Sequence, residues 1–352
     1  PPGAWETSLY NRVPDCSISE MEHLLYKEKS LLQAWSLRGA PFIFPVMESD
    51  VFLSALISEE GEPWIYTGGI LLALDFLQMN FNELFNILKQ VIQQLDNKII
   101  TSKSTLDQTL AEWMLPLLPN EKQKMWNKPS MYGSPDKQTV GGAVVSFMLR
   151  PCAFKGLVVF GERSGISPTF TSYENWIGKP LKVSENASNG LVRKFLHCYG
   201  PTTDDKFVSW LGCSPKQGKR IWETISEEME PVKVFGENAY ILSIDKERLI
   251  SPVSFERELF LLGAHDPYLD QRDRFILQSD KLLQKQIWRF VSNPGVILYR
   301  GEVIGIWRSK KNNKGIEIKM TLWDRFHVKQ KLFDLAEEYA NFRQQKLVSV
   351  EI

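Results

Sequence analysis

Gly200-Pro-Thr-Thr-Asp-Asp-Lys-Phe-Val-Ser-Trp-Leu-Gly-Cys-Ser-Pro-Lys-Gln-Gly-Lys-Arg-Ile-Trp222 is followed at once by a second patterned stretch, Pro231-Val-Lys-Val-Phe-Gly-Glu-Asn-Ala-Tyr-Ile-Leu242. Thr203 is placed to cap a helix running to about Leu211, because a side-chain oxygen there can take an orphan N–H of the first turn. Gly212 ends that helix, since only glycine enters the left-handed conformation without strain. Ser214-Pro215 then supplies an N-cap and an N1 proline for the next helix. The alternation from 231 to 242 around Phe235-Gly236 predicts a hairpin. Helix, tight turn, helix, hairpin spells a winged helix.

The same order recurs upstream. Ser17 to Tyr26 combines Ser/Glu capping chemistry with Met21, Leu24 and Leu25 at helical spacing. A hairpin is predicted after it, over Leu32 to Phe44 with its turn at Gly39. Lys137 to Arg150 leads into a second hairpin at 153 to 161 and a loop from Glu162 to Ser167. Between these units, Leu84, Leu88, Val91, Ile92 and Leu95 mark a helix with one buried face inside the span from Leu71 to Leu95. Beyond Ser251 the pattern turns to apolar runs joined at Arg300-Gly301-Glu302, predicting a small β-rich module. A helix carrying Leu332, Leu335, Tyr339 and Phe342 should pack on it. The expectation is an α+β chain of about three tandem winged-helix units with a C-terminal small β-barrel-like module. Residues 1–182 hold the first two units and intervening helices, 183–250 the third, and 251–352 the module.

Composition narrows the function classes. A chain of 352 residues with 43% hydrophobic positions can bury a sizeable core. Lys plus Arg and Asp plus Glu both number 42, so no global charge draws it to nucleic acid and any DNA affinity must arise from local basic faces. Cys16, Cys152, Cys198 and Cys213 stand far apart and are read as reduced core thiols. His23, His197, His265 and His327 show no ligand spacing, so neither a metal nor a cofactor is expected. Phosphate-loop, dinucleotide-binding and serine-elbow motifs are missing. No apolar run reaches the roughly 18 residues a membrane span needs, and the start does not read as a signal peptide, so a cytoplasmic protein associated with the nucleoid is expected. Pro1 in place of Met, within a turn-like Pro-Pro-Gly, suggests further sequence upstream.

Candidate DNA contacts follow from the units. Lys216, Lys219 and Arg220 fall early on the second helix of the third unit, where a reader of DNA meets phosphates or bases. Thr202 and Thr203 begin the first. Lys155, Arg163 and Lys233 sit on or beside hairpins able to act as wings. Arg308 to Lys346 holds ten Lys/Arg against five Asp/Glu, with Arg308, Lys310, Lys311 and Lys314 clustered after a strand on a tight turn. Each has a plainer alternative, a solvated surface charge. Trp35, Trp210, Trp222 and Trp288 fit core positions better than base stacking. His265-Asp266 with Asp270-Gln-Arg-Asp-Arg274 offers an acid/base site or, more simply, a salt-bridged turn.

Trp35-Ser-Leu-Arg-Gly39, Tyr199-Gly-Pro-Thr-Thr203 with Trp210-Leu-Gly212, and Asp266-Pro-Tyr-Leu-Asp-Gln-Arg-Asp-Arg274 followed by Asn293-Pro-Gly295 occur in an informative order. With Arg300-Gly-Glu-Val-Ile-Gly-Ile-Trp307, they resemble the winged-helix DNA glycosylases of the AlkZ/YcaQ type over nearly the whole chain. The resemblance implies three winged helices around a DNA-binding concavity, a barrel-like module, and cofactor-free excision of N-alkylated purines with unhooking of interstrand crosslinks. Its partner would be duplex DNA bearing such purines, bound by a monomer. By position, Arg38 and the Thr202 to Arg220 helices take DNA-contact roles. The family's catalytic motif, Gln-apolar-Gln/Asp, would lie just ahead of Pro1, so no catalytic residue is carried over and weak excision with retained DNA binding is expected. Gln94-Leu95-Asp96 ends a core helix and Gln284-Lys285-Gln286 puts Lys in the apolar slot; neither fits. The competing functions are a winged-helix transcription regulator, which would ignore damage, and a protein-interaction scaffold with little salt-dependent DNA affinity.

Overall fold

Ser17 accepts the Glu20 N–H and starts the Ile18–Glu22 helix, which runs on as a wider π-helical turn, His23–Lys27. The computed structural model describes residues 3–132, 136–270, 274–323 and 329–352. Its chain divides into two units, Leu24–Glu247 and a second formed by Pro1–His23 with Arg248–Ile352.

The larger unit holds three antiparallel hairpins among helices. β1 (Leu31–Trp35) pairs with β2 (Pro41–Pro45), β3 (Val159–Phe160) with β4 (Phe170–Thr171), and β5 (Met229–Val234) with β6 (Glu237–Leu242). Leu84, Leu88, Val91, Ile92 and Leu95 all point into one core with Trp126 and the Val140–Phe154 helix. The stretch from Leu71 is not one helix. Leu71–Leu77 stops at left-handed Gln78, and Asn80 with Glu83 builds a reciprocal capping box that restarts it as Phe81–Val91. Arg150 ties the long helix to the first hairpin by donating from Nε to the Gly39 carbonyl at 3.1 Å, its guanidinium lying 4.2 Å over the Tyr66 ring. On the adjoining Lys103–Met114 helix, Lys103 Nζ donates to Asp107 Oδ2 at 2.7 Å. Burial lowers the Lys103 pKa and raises that of Asp107.

The smaller unit is built on a five-stranded sheet ordered β11-β10-β9-β8-β7, comprising β7 (Leu259–Leu262), β8 (Gly295–Tyr299), β9 (Glu302–Asn312), β10 (Gly315–Leu322) and β11 (Leu347–Glu351). It is an open sheet, with β7 and β11 at its edges, and among the described residues it does not close into the expected barrel. The Lys329–Phe342 helix lays Leu332, Leu335 and Tyr339 against Trp307, Ile316 and Ile318. β11 then joins parallel to β10, a strand the sequence pattern did not announce. The thiol expectation needs correcting: only Cys152 is buried, Cys16 and Cys213 are half-buried, and Cys198 is exposed. Trp35, Trp210 and Trp222 are core residues, while Trp288 is half-buried and donates to the Leu269 carbonyl at 3.1 Å.

Candidate nucleic-acid interface

The helix pair forms as its caps dictate. Asp204–Leu211 ends at Gly212 with φ +74°, and Ser214 Oγ accepts the Gln217 N–H at 3.2 Å ahead of Pro215–Trp222. Thr203 takes the N-cap backbone conformation without a side-chain capping bond. Thr202 is 3% exposed and exchanges backbone hydrogen bonds with Tyr240, so it is buried and not a surface contact. Most of the second helix's cations are engaged within the unit. Arg220 grips Glu62 with Nε and Nη2, both at 2.8 Å, and its Nη1 lies 3.1 Å from Glu59. Lys216 Nζ donates to the Glu60 carbonyl at 2.9 Å, and buried Gln217 donates to the Leu56 carbonyl. Those hydrogen bonds from Arg220 hold the Glu62 carboxyl below the usual carboxylate range. Lys216 and Lys219 both stay exposed, Lys219 with its Nζ 3.8 Å from Glu223, while Arg220 is half-buried.

Arg38, the turn residue of the first hairpin, has φ +55° and donates from Nη1 to the Trp210 carbonyl at 2.6 Å. It clasps the hairpin to the end of the Asp204–Leu211 helix, in contact range of Gly212. Lys155 is exposed at the end of the Val140–Phe154 helix, 5.7 Å over Trp64. Arg163 lies half-buried in the β3–β4 loop, and Lys233 is exposed on β5.

In the smaller unit Arg308, Lys310 and Lys311 are exposed within β9 itself, and only Lys314 occupies the turn to β10, so the cluster is a strand and not a loop tip. Arg308 Nη2 donates to the Ser292 carbonyl at 2.7 Å. A cavity of about 410 Å³ opens here, lined among others by Arg308, Lys311, Arg343, Ser309 and Asn293, with no carboxylate in its lining. Arg343 is fixed by Glu6 at 2.5 Å, and the buried Asn293 Oδ1 has no hydrogen-bond partner among the described residues. Three cations around one concavity can hold an anion by charge-assisted hydrogen bonds.

The sequence matches the family described as DNA glycosylase AlkZ-like over residues 1–343. The chain belongs to that family. It is 21% identical over 291 residues to the interstrand DNA cross-link repair glycosylase of Streptomyces sahachiroi, covering 79% of this chain and 70% of that protein. The solved structure of Streptomyces sahachiroi DNA glycosylase AlkZ superposes with a TM-score of 0.74 at 18% identity, covering 99% of this chain and 89% of that one.

In this AlkZ-like glycosylase, Asp266 is ion-paired to Arg12. Its buried carboxylate accepts from Arg12 Nη2 at 2.6 Å, Arg12 Nη1 at 2.9 Å, Ser8 Oγ at 3.1 Å and the Tyr268 N–H at 2.9 Å, which makes it a clamp for the N-terminal helix. The run after Asp270 passes through residues 271–273, outside the described residues, as does His327. Asp96 of Gln94-Leu95-Asp96 holds Ser172, the N-cap of the Tyr173–Ile177 helix, accepting from its N–H at 2.7 Å and its Oγ at 2.8 Å. Among the described residues no group of His, Cys, Asp and Glu could hold a metal ion, and no helix is long and apolar enough to cross a membrane. Arg343 and the Glu59/Glu62 pair escaped sequence reasoning. The acidic run Glu59-Glu-Gly-Glu62 was the signal for the latter, and for Arg343 there was none beyond its charge.

Proposed function

We propose that this glycosylase removes N-alkylated purines from duplex DNA and unhooks interstrand crosslinks, gripping the duplex with three winged-helix units and the basic strand β9. The family match over residues 1–343 carries the reading, and the printed role of the Streptomyces relative supports the crosslink substrate. The chemistry is undemanding. An N7-alkylated purine leaves as a neutral base, so the protein must stabilise an oxocarbenium-like sugar and orient a water, tasks for positioned dipoles that call for no cofactor.

The engagement of Arg220 by Glu62 and Glu59 supports a reader of damage over a reader of an operator, because that cation of the second helix is held within the unit and not left for a base edge. Phosphate contacts are assigned instead to Lys311, Arg308 and Lys310 on β9, with Lys155, Arg163, Lys219 and Lys233 around the helices and hairpins. A monomer working on nucleoid DNA completes the proposal. The test is base release from a duplex carrying one N7-alkylguanine, with a crosslinked duplex run alongside on a denaturing gel. Release and unhooking uphold it; tight binding of one unmodified sequence with no preference for damage gives the regulator.

A further inference from the structure

Asn293-Pro-Gly295 runs into β8, and its glycine leaves room that no other residue would, since a Cβ at 295 would lie 2.3 Å from Trp307 Nε1. The indole can therefore lie against that strand, donating from Nε1 to the Leu262 carbonyl at 2.8 Å. Trp307, Ile316 and Tyr339 share one buried core, and the cavity of about 410 Å³ opens where that core gives way to Asn293, Lys311 and Arg343. Every residue lining it belongs to the smaller unit. Tyr339 is 7% exposed and stands edge-on to Trp307 with ring centroids 4.9 Å apart, yet its hydroxyl makes no hydrogen bond among the described residues. Asn293 likewise spends neither end of its amide there, and its Oδ1 is buried. Lys311 forms no ion pair among the described residues.

Buried polar groups are ordinarily hydrogen-bonded, so two idle ones at the wall of one cavity point to something that fills it. The lining is rich in donors: three cations, a phenol and an amide N–H₂. Glu6 offsets one of the three positive charges through Arg343, and the surplus that remains calls for an anion with several acceptor oxygens. A phosphate has that charge and that many acceptors. A water takes about 30 Å³, so the few heavy atoms of a phosphate leave most of the volume for the sugar that carries it. We propose that this cavity seats one phosphate of the DNA backbone together with its deoxyribose, with Tyr339 and Asn293 as neutral donors beside Arg308, Lys311 and Arg343. The inference rests on the duplex-DNA reading above and adds to it an enclosed seat behind the outer cations of β9.

Neutral donors separate the two arrangements, because they act only on a ligand in contact and release no counterions. The test compares wild type, Tyr339→Phe, Asn293→Leu and Lys311→Gln in binding to a duplex over a range of salt. Neither the hydroxyl nor the amide has a partner in the fold, so Tyr339→Phe and Asn293→Leu should melt no lower than wild type. Each should lose about tenfold in duplex affinity, the worth of one hydrogen bond to a charged acceptor, with the wild-type salt slope. Inorganic phosphate, against chloride at equal ionic strength, should raise the melting temperature of wild type and compete with the duplex, and Tyr339→Phe should blunt both effects. Duplex affinity undiminished in both neutral variants overturns the backbone seat: protection by inorganic phosphate would then mark a site for a free anion, and its absence would leave β9 as an outer contact alone. A wild type with no salt-dependent duplex affinity overturns the DNA reading and the seat together.

Discussion

Arg220 and Lys311 carry the same charge and face opposite fates, which makes them a paired test. Arg220→Gln leaves the Glu62 carboxylate, whose side chain is 1% exposed, without its bidentate partner. A cost of about 2–3 kcal/mol in stability is expected, discounted from a fully buried pair because Arg220 is partly solvated; thermal melts would show it, with the salt dependence of DNA binding unchanged. Lys311→Gln should do the reverse. Stability stays within about 0.5 kcal/mol, and the slope of log affinity against log salt falls by about 0.9, the signature of one lost phosphate contact. An unchanged slope would remove Lys311 from the interface. Glu62 also fixes a pH dependence. Its carboxyl titrates lower folded than unfolded, so its contribution is complete above the ordinary value of about 4.3 and is lost as pH falls through the depressed folded value. The stability gap between wild type and Glu62→Gln should therefore be full at neutral pH and close in acid. Residue types were legible in the sequence here, and partners were not: Glu62 and Arg220 stand 158 positions apart, and no local pattern pairs them.

Local chemistry made the elements more readable. The helix pair at 204–222 was legible because Gly212, Ser214 and Pro215 each act within one turn of the chain. The span from Leu71 misled because a continuous apolar stripe crosses a capping box whose Asn80 and Glu83 outweigh periodicity. β11 escaped because its short Leu-Val-Ser-Val-Glu run becomes a strand only beside β10. The pair of helices also holds a contact that propensity misjudges. Alanine is the better helix former at position 218 by about 1 kcal/mol, yet a Cβ there would sit 2.2 Å from Val208 Cγ2. Gly218→Ala should therefore destabilise, by about 1–3 kcal/mol as overpacking does. Denaturant titration checks this, and a stabilised variant would mean that the helices can slide apart without penalty.

At the scale of the molecule, zero net charge conceals cations gathered where carboxylates are absent, as around the β9 cavity. Function was legible through the order of distant words; the grouping of the chain's two ends was not, since composition says nothing of which segments share a core. Residues 1–23 belong with 248–352. Tyr10 stacks on Phe342 with centroids 4.5 Å apart, and Arg12 closes on the wholly buried Asp266. Arg12→Ala strips that carboxylate of two hydrogen bonds and its counter-charge, which should cost about 3 kcal/mol. Stability in a two-unit protein need not fall uniformly, because each core can open by itself. Hydrogen exchange followed by mass spectrometry should therefore show protection falling along β7 to β10 and in the Ala4–Tyr10 helix, while the Val140–Phe154 helix exchanges as in wild type. Loss of protection spread evenly over both units would instead mean that they unfold as one cooperative body, and that the Arg12–Asp266 clamp supports the whole chain.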